Sequence, residues 1–232
     1  MKVSRCPGGE VPRSYGKPGG PVQTRRFALL ALGSLLIAPA TAAERPVRIV
    51  MLGDSIAAGF GLPVAEALPA KLEKALKAKG LNVTVENAGV SGDTPAGGLA
   101  RLDWSVGEGT DAVIIELGAN DALRGADPKQ TRAALDAIIR RLKERKIAVL
   151  LAGMMAPRNF GPDYVAAFDA IYPELAAAHD VILYPFIVEG VATNPALNQG
   201  DGIHPNAAGV DVIVKGLAPK AEELVARVKA KG

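Results

Sequence analysis

Ser55, Asn120, Asp201 and His204 are the residues of this 232-residue sequence that together could carry out acyl transfer. That chemistry needs a nucleophile, a base to take its proton, a carboxylate to orient the base and donors for the oxyanion that forms. Ser55 supplies the hydroxyl, at the end of Gly53-Asp54-Ser55. Of the two histidines, His179 ends an ordinary helical pattern. His204 instead follows Asp201 by three residues in Asp201-Gly202-Ile203-His204-Pro205, a Gly-containing turn that can present imidazole and carboxylate together. Asn120 could donate its side-chain amide to the oxyanion, and Gly92, with no Cβ in the way, its backbone N–H. Each residue also has a plainer reading. Asp and Ser begin helices, Asp201 could cap a helix starting at Pro205, and Gly92 and Asn120-Asp121 are ordinary turn residues. What favours chemistry is their joint occurrence in four loops.

Those loops must be brought to one place. The apolar run 47–52 breaks off at Gly53, which predicts a buried strand turning sharply into a helix. Further strands are expected at 82–87, 111–117, 148–152 and 181–184, and helices at 63–79, 128–145, 163–179 and 205–229. Residues 94–104, 124–129, 154–164 and 186–198 read as loops. Strands alternating with helices predict an α/β fold, a three-layer α/β/α sandwich around a mostly parallel five-stranded sheet. Ligands of such sheets bind at the carboxyl ends of the strands, where all four blocks are expected.

Composition narrows the function classes. At 232 residues and 49% hydrophobic content, the chain can bury one sizeable core. Six of its 27 basic residues but only one of its 24 acidic residues precede position 44, so the net charge of +3 belongs to the leader and the body is slightly acidic. That excludes the concentrated basic surface a nucleic-acid partner requires. Arg25-Arg26, an apolar stretch over 27–38 and the small residues Ala40-Thr41-Ala42-Ala43 predict an export signal over 1–43, followed by a single domain over 44–232. The apolar stretch is too short for a membrane span. The expected location is periplasmic or secreted, and the lone cysteine, Cys6, lies in the leader. No metal motif occurs and no cofactor is expected. The glycines of 53–61 lack the Lys-Ser/Thr of a phosphate loop and the spacing of a dinucleotide fingerprint, and Ser55 is not in a G-x-S-x-G elbow.

The blocks Gly53-Asp54-Ser55, Asn87 to Thr94, Gly118-Ala119-Asn120-Asp121 and Asp201 to Asn206 resemble, in the same order, those of the SGNH (GDSL) hydrolases. The likeness is greatest to the bacterial periplasmic thioesterase, lysophospholipase and arylesterase subgroup. It implies the flavodoxin-like fold of that family, with Ser55 as nucleophile, His204 as base and Asp201 as its partner. It also implies an oxyanion hole made of the Ser55 N–H, the Gly92 N–H and the Asn120 side chain. Ala119 stands where the subgroup often has a second glycine, which removes no catalytic group. The implied activity is metal-free hydrolysis of a small acyl or aryl ester or thioester, by a monomer or weak homodimer. A carbohydrate O-acetyl esterase and a non-catalytic binding module are the alternatives. Asp54, Leu123, Met154, Phe160 and Ile187 are the expected substrate contacts, with Met155 and Val188 nearby; core packing is the plainer reading of each apolar one.

Overall fold

The five predicted strands form, and in the three central ones β-branched and long aliphatic side chains bury both faces, the pattern of a parallel sheet covered on each side. They are β1 (Val47–Gly53), β2 (Val83–Gly89), β3 (Ala112–Glu116), β4 (Ala148–Ala152) and β5 (Ile182–Tyr184). In the computed structural model, which describes residues 45–230, they form one sheet of order β2-β1-β3-β4-β5 with every neighbouring pair parallel. The described residues form one compact unit. The predicted export signal over 1–43 lies outside the described residues.

The helices are α1 (Ser55–Ala58), α2 (Leu68–Ala78), α3 (Pro95–Ala100), α4 (Leu102–Ser105), α5 (Ala119–Arg124), α6 (Pro128–Glu144), α7 (Pro162–Asp169), α8 (Ile171–His179) and α9 (Ala207–Lys229). Packing sorts the main ones into two layers. Helices α2 and α9 lie together against the sheet, and α3, α6 and α8 form the opposing layer. In α9 the apolar stripe Val210, Ile213, Val214, Leu217, Ala221 and Leu224 is buried, at the three- and four-residue spacing of one helix face. Among the described residues no helix is long and apolar enough to cross a membrane.

Several boundaries differ from those expected. The helix predicted over 163–179 is two, because Pro173 has no N–H for the carbonyl of Asp169 and its ring crowds that carbonyl. The helix predicted from residue 63 begins at Leu68, after a short 3₁₀ turn over Val64–Glu66. Strand β2 runs on to Gly89, taking up residues assigned to a loop. Most of 94–104 is helical, opened by Thr94, which caps α3 by accepting the Gly97 N–H at 3.1 Å.

The strand order decides where a site can form. The chain leaves β1 toward β2 on one side and returns through β3 on the other, so a crevice opens between the carboxyl ends of β1 and β3. In register Gly53 stands opposite Glu116. The turns carrying Ser55 and Asn120 therefore leave the sheet side by side.

Candidate active site

At the end of β1 the backbone turns into α1 with no room to spare. A Cβ on Gly53 would lie 2.5 Å from both Ala57 Cβ and Glu116 Oε2, so only glycine permits the turn. Asp54 caps α1 by accepting the Ile56 N–H at 3.1 Å. The plainer reading of Asp54 therefore holds, and its expected contact with substrate does not. Its side chain is wholly buried, and its second oxygen accepts a hydrogen bond from the Asn120 amide at 3.3 Å. With the capping done by Asp54, the hydroxyl of Ser55, first residue of α1, is free for another partner.

That partner is His204. Ser55 Oγ lies 2.9 Å from Nε2 of the imidazole, and Nδ1 of the same ring lies 2.7 Å from Asp201 Oδ2. With the ring proton on Nδ1 donated to Asp201, Nε2 is the acceptor for the serine hydroxyl. The other oxygen of Asp201 accepts the N–H groups of Ile203 at 2.9 Å and His204 at 3.0 Å. Bonding to the imidazole, then to these two N–H groups, holds the Asp201 carboxyl well below the usual carboxylate range. The capping alternative for Asp201 is not what forms, since α9 is capped by Asn206, which accepts the Gly209 N–H at 3.0 Å. Phe60 packs its ring 4.5 Å from that of His204, centre to centre. The sequence reading passed over Phe60, whose only signal was an aromatic just beyond α1. Both rings border a narrow recess that Ser55 also lines.

The remaining predicted groups come from two neighbouring loops. Gly92 adopts φ 82°, a left-handed conformation that glycine takes without strain, in the turn closed by the Asp93 N–H on Val90 O at 3.0 Å. Asn120, in the first turn of α5, donates its amide to Asp93 O at 2.9 Å and, less closely, to Asp54 Oδ2 at 3.3 Å. The Ser55 N–H, opening α1, has no acceptor within its own helix.

Beneath the turn lies a second carboxyl that sequence reasoning missed. Glu116, at the end of the apolar strand β3, is wholly buried and accepts the N–H groups of Asp54 and Ala57 through Oε2, each at 3.1 Å. Its Oε1 is buried with no hydrogen-bond partner. Burial raises the Asp54 carboxyl to about 6, and burial followed by repulsion from Asp54 pushes Glu116 well above its ordinary range. Both shifts favour the protonated form, because burial disfavours each charge and two carboxylates so close repel one another. An acid at the end of an apolar run was the available signal.

The predicted substrate contacts divide. Leu123 and Phe160 are exposed, as is Met155, whereas Met154 and Ile187 are buried in the core. The Gly153 N–H bonds to Tyr184 O at 2.7 Å and the Ile187 N–H to Gly153 O at 2.9 Å. These bonds prolong the pairing of β4 and β5 past their ends, which keeps both side chains in the core and away from a groove.

Comparison with known proteins adds four findings. Residues 51–212 match the GDSL-like lipase/acylhydrolase family. The chain is 38% identical over 199 residues to esterase TesA of Pseudomonas aeruginosa, covering 85% of this chain and 99% of that protein. It is 40% identical over 178 residues to thioesterase 1/protease 1/lysophospholipase L1 of Escherichia coli K12, covering 76% and 84%. The crystal structure of AlinE4, an SGNH-hydrolase family esterase, superposes with a TM-score of 0.67 at 43% identity, over 78% of this chain and 98% of that one.

Proposed function

The chain belongs to the GDSL-like lipase/acylhydrolase family, and we propose that it hydrolyses carboxylic esters and thioesters through an acyl-enzyme on Ser55. His204 takes the Ser55 proton as Oγ attacks the carbonyl carbon, then returns it to the departing alcohol or thiol. Water, deprotonated by the same imidazole, releases the acid and restores the serine. Asp201 holds the ring in the tautomer whose Nε2 faces Ser55 and stabilises the imidazolium of each step. The N–H groups of Ser55 and Gly92 and the Asn120 amide stabilise the oxyanion. Asn120 must then turn one N–H from a present acceptor toward substrate, and the longer bond, to Asp54, is the easier to give up.

The observation that carries this reading is the unbroken chain of hydrogen bonds from Ser55 to His204 to Asp201, at 2.9 and 2.7 Å, in one polypeptide. The substrate class is an apolar acyl or aryl ester or thioester, received beside the exposed Leu123, Met155 and Phe160. The location is periplasmic or secreted, after removal of the leader. Mass spectrometry after fluorophosphonate treatment tests the nucleophile: an adduct on Ser55, absent from Ser55→Ala, is expected. An unmodified Ser55, or a Ser55→Ala protein as active as wild type on a short p-nitrophenyl ester, would remove the assignment. A panel of aryl esters, acyl-CoA and lysophospholipid then separates the substrates.

A further inference from the structure

We propose that Arg101 is a positioning residue of this reaction, a guanidinium that locks the Ser55 turn, the Gly92 loop and the Asn120 amide into one frame. The inference rests on the esterase reading above. Arg101 stands between α3 and α4, and its planar fork reaches four acceptors. Nε donates to Asp93 Oδ2 at 2.8 Å, Nη1 to Ala88 O and Ser105 Oγ at 2.9 Å each, and Nη2 to Gly53 O at 3.0 Å.

Three of these acceptors belong to site-bearing segments. Gly53 O closes β1, directly before Asp54 and Ser55, and also accepts the Val90 N–H at 3.0 Å. The end of β1 and the turn holding Gly92 thus meet on one oxygen. Ala88 O stands at the carboxyl end of β2, where that turn begins. Asp93 ends the turn, and its own carbonyl receives the Asn120 amide at 2.9 Å. Arg101 therefore touches the carriers of two oxyanion donors directly and the third through Asp93. The Arg101 and Asp93 side chains are only 16% and 11% exposed, so water competes little for these bonds. A lysine would keep the charge but not the flat fork that meets separate acceptors at once.

Without the guanidinium the β1–β2 ladder stays paired. What goes is the common reference for three donors on three loops, and such donors lose much of their worth when displaced. The test is a double-mutant cycle on a p-nitrophenyl ester. Arg101→Lys is expected to lower kcat about 30-fold with KM within about threefold. In an Asn120→Ala background the same change should cost less than about fivefold, because the donor it aligned is gone. An equal loss of kcat in both backgrounds, or a loss confined to KM, overturns the proposal. Should Arg101→Lys not fold, Asp93→Ala takes its place, removing the carboxylate that accepts from Nε while keeping the backbone carbonyl under Asn120. Its expected loss is about tenfold, again shrinking beside Asn120→Ala, and an undiminished loss overturns the proposal. A Ser55→Ala protein that keeps full activity is a different outcome, and removes the function itself.

Discussion

Two histidines in this fold each meet an aspartate at 2.7 Å, yet the two regions are not equivalent. His204 sits at the carboxyl edge of the sheet and bridges, with Nδ1 on Asp201 and Nε2 on Ser55. His179 ends α8, just before β5 begins, and gives Nε2 to Asp136, which also pairs with Arg140 at 3.0 Å. Lys143 Nζ donates to the His179 carbonyl, so that region fastens α6 to α8. A His–Asp pair is thus common structural material. It becomes a site when its second nitrogen meets a hydroxyl and its carboxylate is held by backbone donors, as Asp201 is.

The contrast can be tested in order of expected effect. Ser55→Ala or His204→Ala should lower kcat by at least about 10⁴-fold with the fold intact by circular dichroism. Asp201→Asn should cost about 10³-fold by letting the ring take the wrong tautomer, and a near-wild-type rate would show that Asp201 orients nothing. Asn120→Ala should lower kcat on the order of 10²-fold at little changed KM.

A smaller effect concerns stability. The carboxyls of Asp54 and Glu116 are raised above their unfolded values, so their contribution is complete at low pH and is lost as pH rises through the folded values. The melting temperature should therefore fall by about 4 °C between pH 5 and 8, and Glu116→Gln, which cannot ionise, should flatten that decline. A rising melting temperature over that window would contradict carboxyls held protonated by burial. Least affected should be His179→Ala, with kcat within about twofold of wild type, since its half-buried pair with Asp136 touches none of the reacting groups. A tenfold loss there would erase the distinction between the two pairs.

Much of this was legible beforehand for local reasons. The five strands, α2, α6 and α9 announced themselves through apolar periodicity, and the split at Ala170 was missed because Pro173 lies inside an otherwise helical pattern. Ser55, His204 and Asp201 stood out by residue type and by one three-residue spacing. Phe60, Arg101 and Glu116 did not, because a ring, a guanidinium and an acid acquire meaning only from what lies opposite them. Met154 and Ile187 were placed in a groove because apolar residues look alike whether they face a ligand or a core.

By itself, then, the sequence determined where the strands and the longer helices form and offered the side chains proposed to carry the chemistry, since periodicity, turn chemistry and functional groups belong to short stretches of chain. Only the tertiary structure decided that Ser55 and His204, 149 positions apart, meet at hydrogen-bonding distance, and that Asp54 and Glu116 lie out of water beneath them. The reason is that separation and hydration are set by strand order and by whatever packs around a group, and neither belongs to any one segment.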